Sequence, residues 1–234
     1  MAKVIRLHGG KDPREVPFYG LTDAAAILNV PASTLRAWCG LKEYRVVNGK
    51  AKMAPLLRRD PGTGRITFHT LVEAYVVSSI TRVFNIRLPD LRVALKYIGG
   101  ERPLLDNIFY AADRELYVEA FNKAFMSVHR SAGQYAIRGV VESSVDRIEF
   151  DPSKRPERFS PWRRSIDEPR AVSIDPQRAF GRPTVKDRSL QVASIVDLYR
   201  AGESVAAIAK SYELGEATVA DVLAWGGCGE TRAA

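Results

Sequence analysis

The chain has 234 residues, 46% of them hydrophobic, and its 35 basic side chains outnumber 27 acidic ones. This composition excludes wholesale disorder and allows one large or two modest domains, and the net charge of +8 favours a polyanionic partner. No apolar run reaches the roughly 18 residues of a membrane span, the start lacks the apolar stretch of a signal peptide, and two cysteines are too few for a disulfide framework. We therefore expect a cytoplasmic protein that contacts no membrane.

The stretch from Leu21 to Trp38 predicts two short helices joined by a tight turn. Thr22 is the expected N-cap of the first helix, and Asn29 can end it because asparagine tolerates the left-handed conformation. Pro31 fits the first turn of the second helix, which is expected from about Ala32 to Cys39. The pattern is typical of a helix-turn-helix, whose second helix enters the DNA major groove. An αα-hairpin inside a helical core is the alternative.

The second helix has one apolar and one polar face. Leu35 and Trp38 are expected to face inward, and Ser33, Thr34 and Arg36 to face outward. These three outward residues are the predicted contacts to the groove or to phosphate.

A basic stretch follows from Gly40 to Arg65, with seven basic side chains against two acidic ones. Extended segments are expected at Tyr44–Val47, Pro55–Arg59 and Arg65–Phe68. A turn, Asp60–Gly64, is expected between the second and the third. A hairpin tipped by Pro61–Gly64 is interpreted as a wing. Such a face binds phosphates with little regard to base sequence, and we expect Arg58, Arg59 and Arg65 to hold them.

Two helices are predicted next, one capped by Thr70 and running from Leu71 to about Phe84, the other from Leu91 to Ile98. Residues 19–98 resemble the winged helix-turn-helix of the MerR and excisionase type, through DAAAILNV, STLRAW and RRDPGTGRITFHTLVEAYVVSSITRVFNIRLPDLRVALKYI. The resemblance implies DNA contact by Thr34 and Arg36 and a wing that carries the three arginines. The sensor cysteines and long dimer helix of that family are not evident, so sensing is not implied.

Residues 101–150 are interpreted as a packing extension or a dimer surface. A hairpin is expected within 107–119, a helix over 134–145, and a closing strand over 147–150.

Residues 151–170 read as a basic, proline-rich linker, since four prolines exclude a continuous helix. Phe159 and Trp162 alternate there with basic side chains. Two interpretations stay open. In one, an extended strap lays both rings on its own domain. In the other, the segment wraps a partner, with Phe159 and Trp162 as anchors and Arg163 and Arg164 as carboxylate ligands.

Residues 171–227 form a second predicted unit. Short strands are expected at Ser173–Ile174 and Thr184–Val185, and a helix from Leu190 to Tyr199. From Glu203 to Trp225 the spacing of the first helix pair recurs, matching Ala25, Val30, Leu35 and Trp38 to Ala209, Leu214, Val219 and Val222. Four acidic side chains oppose one basic one between Glu203 and Leu223. This second helix-turn-helix is therefore expected to bind protein or to self-associate, with DNA contact as the alternative.

The same unit resembles a small uncharacterised domain associated with antitoxins of the VapB type. The matching residues are Pro183-Thr184-Val185, Arg188, Gly202-Glu203, Ile208-Ala209 and Tyr212, while Asp187 departs from the usual pattern. A MerR-like reader followed by this domain is similar to longer VapB antitoxins, whose partners are PIN-like ribonuclease toxins.

Catalytic chemistry is not expected. His8, His69 and His129 are dispersed without metal-ligand spacing, and no nucleophile or phosphate-loop motif is present. We predict no enzyme activity, no cofactor and no metal site.

The predicted fold class is α+β, mainly α. It comprises an arm (1–17), a winged helix-turn-helix with a β-containing extension (18–150), a linker (151–170), a three-helix C-terminal helix-turn-helix domain (171–227) and a tail (228–234). The predicted function is a homodimeric antitoxin that binds double-stranded operator DNA, represses its own operon and neutralises a PIN-like ribonuclease toxin. A stand-alone regulator and a protein-binding adaptor that never meets DNA are the alternatives.

Overall fold

A computed structural model describes residues 10–40, 42–46, 49–84, 88–98, 104, 144–153 and 155–228. The chain divides into two compact units, the first spanning 1–146 and 150–156, the second spanning 147–149 and 157–234. Helices dominate the described residues and small two-stranded sheets accompany them, which agrees with the predicted α+β, mainly α class.

The first unit contains two short helices, a hairpin and two longer helices. Their bounds are α1 Leu21–Leu28, α2 Ala32–Cys39, β1 Lys42–Val46, β2 Gly49–Met53, α3 Phe68–Phe84 and α4 Leu88–Ile98. The bounds of α2 are those predicted, because an apolar pair at helical spacing follows directly on a proline that can begin a helix.

Both predicted N-caps are wrong. Gly20 is the N-cap of α1, so Thr22 already lies inside the helix. Helix α3 begins at Phe68, and the Thr67 hydroxyl accepts the backbone N–H of Thr70 at 3.2 Å. Thr67 and Thr70 are chemically equal as caps of α3, so the place where the tertiary structure begins the helix determines which one is used.

Helix α3 is the centre of the first unit. Every side chain from Phe68 to Ile80 is buried, including those of His69 and Glu73. Helix α1 packs on α3 through its buried side chains, among them Ala24 and Leu28. A helix buried on all sides shows little amphipathic periodicity, and here it serves as the core on which the other elements rest.

The hairpin lies earlier in the chain than predicted. Strands β1 and β2 pair antiparallel, with Lys42 opposite Met53 and Val46 opposite Gly49. The predicted strand at Arg65–Phe68 contributes one bridge, between Ile66 and Tyr19, before α3 begins. The turn Asp60–Gly64 is therefore a separate loop and does not tip the hairpin.

The described part of the predicted flexible arm is anchored within the first unit. Residues Pro13–Glu15 form a short 3-10 helix. The Arg14 side chain is 13% exposed and pairs with Asp12 at 2.7 Å and with Asp151 at 2.6 Å. Arg14 thus has a structural role in this segment.

The second unit combines short strands with a three-helix group. The elements, some at the boundary between units, are β3 Ile148–Phe150, β4 Pro156–Phe159, β5 Val172–Ser173, β6 Thr184–Val185, α5 Val192–Arg200, α6 Val205–Tyr212 and α7 Glu216–Trp225. Strands β5 and β6 pair antiparallel, and an apolar core joins them to the helices through residues such as Val185, Ile195, Ile208 and Val222. Residues 157–170, part of the predicted linker, belong to this unit.

The predicted closing strand over 147–150 corresponds to β3. The expected hairpin within 107–119 and nearly all of the expected helix over 134–145 lie outside the described residues.

Candidate functional site

The α1–α2 pair is set by a short turn with defined hydrogen bonds. Asn29 ends α1 at φ 51° and ψ 47°, and its N–H is satisfied by carbonyl groups of α1. The Val30 N–H donates to the Ala25 carbonyl at 3.0 Å, and the Leu35 N–H donates to the Pro31 carbonyl at 3.2 Å. Asparagine at the left-handed position and proline just before α2 therefore produce the bend between the helices.

Helix α2 exposes the three predicted contact residues to different extents. Ser33 and Arg36 are exposed and Thr34 is partly buried, while Leu35 and Trp38 are buried on the opposite side. The packing of two large apolar side chains fixes the rotation of the helix about its axis. The polar face of α2 is thus presented outward, as a groove-reading helix requires.

The segment with Arg58 and Arg59 is fastened to the end of α2. The Trp38 carbonyl accepts the Leu56 N–H at 2.7 Å and the Leu57 N–H at 3.0 Å. Leu57 is buried, and the two exposed arginines follow it directly. The structure therefore brings Arg58 and Arg59 to the C-terminal end of the helix that carries Arg36.

Arg92 of α4 is a positioning residue that sequence reasoning missed. Its Nη1 donates to the Ala54 carbonyl at 2.7 Å, just after β2, and burial lowers the pKa of this guanidinium. The stem of the basic segment is consequently held at Ala54 by α4 and at Leu56 and Leu57 by α2. An arginine on a helix face gives no sequence signal for such a contact.

Asp60 organises the loop between the arginines. Its carboxylate accepts the backbone N–H and the hydroxyl of Thr63, both at 2.7 Å, and these hydrogen bonds lower its pKa. Gly64 follows at φ 68°, where a side chain would be strained. The acidic group in this basic stretch is thereby used to shape the turn.

Arg65 lies at the base of that loop. Its carbonyl accepts the Asp60 N–H at 2.8 Å, and its Nη1 donates to the Phe18 carbonyl at 2.8 Å. Arg65 is exposed, yet it ties the loop to the chain before α1. Arg58, Arg59 and Arg65 thus share one loop region, although the predicted hairpin geometry of this region does not occur.

Phe159 and Trp162, the two rings of the predicted linker 151–170, are buried within the second unit. Phe159 is 1% exposed, and its backbone exchanges hydrogen bonds with Ile174 at 3.1 Å and 2.8 Å. Trp162 is 4% exposed. This is the arrangement of the strap interpretation, in which the segment lays its rings on its own domain. Neither ring is presented as an accessible anchor.

Arg163 and Arg164 contact the C-terminal end of α7. Arg163 Nη1 donates to the Trp225 carbonyl at 2.5 Å and the guanidinium carbon lies 4.8 Å from the centre of the Trp225 ring. Arg164 Nη2 donates to the Ala224 carbonyl at 2.8 Å. Cations at this position satisfy the last carbonyls of a helix and complement its dipole. The Trp225 indole N–H donates back to the Pro161 carbonyl at 3.0 Å.

Arg147 is the buried organiser of this strap, which we define as residues 159–168. It is 4% exposed and donates to the carbonyls of Ile166, Ser160 and Glu168. The Glu168 carboxylate accepts the Arg163 N–H at 2.5 Å. Nothing in the local sequence indicates that Arg147 would be buried, because its partners are backbone carbonyls from residues 13 to 21 positions away.

The α6–α7 pair repeats the turn of the first pair. Glu213 ends α6 at φ 53° and ψ 48°, and the Leu214 N–H donates to the Ala209 carbonyl at 2.9 Å. Ala209 and Val219 are buried as their counterparts are. The outward face of α7 differs, since its exposed residues include Glu216, Ala217 and Ala220.

Asp187, which departs from the pattern of the domain that this unit resembles, has a left-handed backbone conformation. It adopts φ 60°, a region that favours glycine. Its carboxylate pairs with Arg158 at 3.2 Å, and Arg158 also pairs with Glu149 at 2.5 Å. These carboxylates raise the pKa of Arg158. Arg158 thus links Asp187 to Glu149.

Within the part of the chain that the structure describes, no three His, Cys, Asp or Glu side chains come together in a way that could hold a metal ion. Among the same residues, no helix has the length and apolar character that crossing a membrane requires.

Comparisons with known proteins give similarities of three kinds. Residues 172–225 match the family described as "Protein of unknown function (DUF433)". The chain is 26% identical over 222 residues to a Mycobacterium tuberculosis (strain ATCC 25618 / H37Rv) protein named "Putative antitoxin VapB45", covering 85% of this chain and 89% of that relative. The fold of this chain is similar to the crystal structure of Rv2018 from Mycobacterium tuberculosis, with a TM-score of 0.60 and 20% identity. The match covers 89% of this chain and 97% of that one. The chain is thus similar along most of its length to a protein named as an antitoxin.

Proposed function

We propose that this protein is a DNA-binding antitoxin that represses its own operon and neutralises a PIN-like ribonuclease toxin. The similarity to a protein named as an antitoxin, along most of both chains, is the observation that carries the proposal. The outward face of α2 and the arginines beside it supply the DNA-binding half. The strap and the C-terminal helices supply the protein-binding half.

On the DNA side, α1–α2 acts as a helix-turn-helix. Arg36 and Thr34 reach base edges or phosphate, Ser33 contacts phosphate beside them, and Arg58, Arg59 and Arg65 hold the backbone. The anchoring of Leu56 and Leu57 on Trp38 supports this assignment, since it keeps the arginines next to the reading helix. A homodimer would place two such helices about one DNA turn apart on a palindromic operator.

On the toxin side, a PIN-like nuclease presents a carboxylate cluster, and an arginine is a suitable ligand for it. Arg164 is the better candidate of the strap arginines because its side chain is exposed, whereas Arg163 is partly buried against Trp225. Phe159 and Trp162 would then contribute by holding the strap in place, in accord with their burial.

The DNA half is tested by fluorescence anisotropy with a duplex from upstream of the gene, measured over a range of salt concentrations. Wild-type affinity should fall steeply with salt, because each neutralised phosphate contributes about 0.9 to the slope of log K against log salt. Arg58→Ala with Arg59→Ala should lower that slope by about 2. Arg200→Ala with Lys210→Ala, an equal charge change at exposed positions of the second unit, is the matched control. Equal losses in both double variants would contradict a specific site.

The toxin half is tested by co-expression with the product of the neighbouring reading frame and by weighing the purified complex. We expect a stable complex that suppresses ribonuclease activity, and Arg164→Ala should weaken it. A neighbour that is not a nuclease, or that does not bind, would leave a stand-alone regulator. Absence of both duplex and neighbour binding would leave the adaptor alternative.

A further inference from the structure

The segment that leads to α1 is anchored from Asp12 onward. The Asp12 carboxylate accepts the Arg14 N–H at 3.0 Å, and Arg14 Nη1 donates to Asp151 at 2.6 Å. The Glu15 carboxylate lies 2.7 Å from Nδ1 of His69, which is buried on α3. Because these contacts hold neighbouring residues, the residue directly before them is presented from a fixed point on the first unit.

Two further contacts join this part of the chain to the loop Asp60–Arg65. Arg65 Nη1 donates to the Phe18 carbonyl at 2.8 Å. The backbones of Tyr19 and Ile66 exchange hydrogen bonds of 3.1 Å and 2.9 Å, and both residues are buried. The loop therefore ends beside the chain that runs from the anchored segment into α1.

Lys11, the residue before the anchored segment, lies near the turn of the same loop. The hydrogen bonds from Thr63 have the largest share in lowering the pKa of Asp60, and the positive charge of Lys11 lowers it further. Interactions between exposed charges fade beyond about 10 Å, so the Lys11 ammonium must be close to this carboxylate. Lys11 and Thr63 are both exposed.

Lys11 thus extends the basic loop. The exposed basic side chains that the anchored segment and the loop bring together are Lys11, Arg58, Arg59 and Arg65. The acidic side chains of the same region, Asp12, Glu15 and Asp60, are engaged by the internal contacts just described. Among the residues that the structure describes, no ion pair engages Lys11. Its charge is therefore available to an external anion, and the excess of positive charge favours a phosphate backbone.

We propose that Lys11 contacts a backbone phosphate of the same duplex that α2 reads, as an extension of the site formed by Arg58, Arg59 and Arg65. The inference rests on the proposed DNA-binding function and adds to it the segment before α1. A lysine suits this role because its ammonium is a compact point charge that attracts a phosphate without selecting a base. The contact should therefore strengthen binding to any duplex.

The test uses the full-length chain and fluorescence anisotropy over a range of salt concentrations. Each variant is measured with the upstream duplex and with an unrelated duplex of the same length. Lys11→Gln removes the charge and keeps a similar side-chain length, whereas Lys11→Arg keeps the charge. Lys210→Gln removes the same charge from an exposed position of α6 and is the matched control. Thermal unfolding checks that each variant is folded.

We expect Lys11→Gln to lower the slope of log K against log salt by about 0.9 with both duplexes. The difference in affinity between wild type and Lys11→Gln should therefore shrink about 3.5-fold for each fourfold rise in salt. Lys11→Arg should recover the slope that Lys11→Gln loses. Lys210→Gln should keep the wild-type slope.

An unchanged slope in Lys11→Gln would overturn the contact. An equal decrease in Lys210→Gln would overturn it as well, because net charge alone would then explain the effect. A loss confined to the upstream duplex would also contradict it, since a phosphate contact does not depend on base sequence. If the wild type binds neither duplex, the DNA half of the proposed function fails and the Lys11 contact fails with it. If the wild type binds and Lys11→Gln keeps the slope, only the Lys11 contact fails.

Discussion

The helix pairs α1–α2 and α6–α7 have nearly the same turn and expose different chemistry. Asn29 and Glu213 have φ and ψ within a few degrees of each other, and the same hydrogen bond spans each turn. On the outward face, Arg36 corresponds to Ala220 and Ser33 to Ala217. Buried positions therefore set the backbone of both pairs, and exposed positions leave one basic and the other acidic.

This difference explains why a single helix pair is assigned to DNA. Helix α2 carries no acidic residue, whereas α7 carries Glu216 and Asp221. Carboxylates on a helix that enters a DNA groove would repel the phosphates. The buried positions that the two pairs share do not reduce this repulsion. Two helix pairs with similar backbones thus present different surfaces within one chain.

The largest expected effects come from the positions that both pairs share. Leu35 and Val219 are both completely buried. Leu35→Ala should lower the free energy of unfolding by about 2–5 kcal/mol and Val219→Ala by about 2 kcal/mol, because each leaves a cavity. Urea unfolding measures the loss, and hydrogen exchange locates it. Loss of protection only outside α1–α2 on Leu35→Ala would contradict the packing of Leu35 within the first pair.

The next effect in size tests the exposed difference directly. Arg36→Ala should weaken operator binding by about 1–3 kcal/mol if Arg36 reads a base edge. Ala220→Arg, added to Arg36→Ala, restores the net charge of the protein by placing an arginine at the corresponding position of α7. This double variant should still bind the operator weakly. Anisotropy with the upstream duplex measures both variants. Recovery by Ala220→Arg would show that net charge alone matters and would remove the distinction between the pairs.

A smaller effect concerns what holds the chain before α1. Hydrogen bonding to Arg14 lowers the pKa of Asp12 and of Asp151 in the folded protein. A carboxyl whose folded pKa is lowered stabilises the fold at neutral pH, and this contribution is lost as the pH falls below about 4. Both groups are partly in water, so we expect less than about 1 kcal/mol.

Unfolding free energy measured from pH 6 to pH 3 tests this contribution, with Asp12→Asn as the variant that should flatten part of the dependence. Arg163 and Arg164, in contrast, donate to carbonyl oxygens at the end of α7. Carbonyl oxygens do not titrate, so these contacts should not contribute to the dependence of stability on pH. An unchanged acid profile in Asp12→Asn would exclude the Arg14 pair as its source.

The smallest effect distinguishes the two turns. Asn29 and Glu213 share the left-handed conformation, but asparagine tolerates it better than glutamate does. Glu213→Gly should therefore stabilise the protein by less than about 1 kcal/mol, and Asn29→Gly should change its stability hardly at all. Thermal unfolding of the two variants gives the comparison. A larger gain at Asn29 would mean that side-chain chemistry does not set the strain of these turns.

Parts of this molecule follow from local sequence. The bounds of α2, the repeated spacing in α6–α7 and the strand Thr184–Val185 were predictable, because apolar periodicity and nearby turn residues act over a few positions. The outward position of Arg36 follows from the inward position of Leu35 and Trp38. These predictions needed no information about distant contacts.

Other parts were beyond local reasoning. The predicted hairpin around Pro61–Gly64 is wrong, because a proline-glycine turn indicates a bend but does not determine which strands pair. The left-handed backbone at Ala179 and Phe180 could not be predicted either, since neither residue type is typical of that conformation.

The amino-acid sequence by itself determined that this chain has two similar helix pairs, the first followed by basic residues and the second itself rich in acidic ones. It could do so because periodicity and charge are local properties. Only the tertiary structure decided that Phe159 and Trp162 are buried and that Arg163 and Arg164 lie at the end of α7. Those contacts join residues about 60 positions apart in the chain, and burial of an aromatic ring depends on what the fold brings against it.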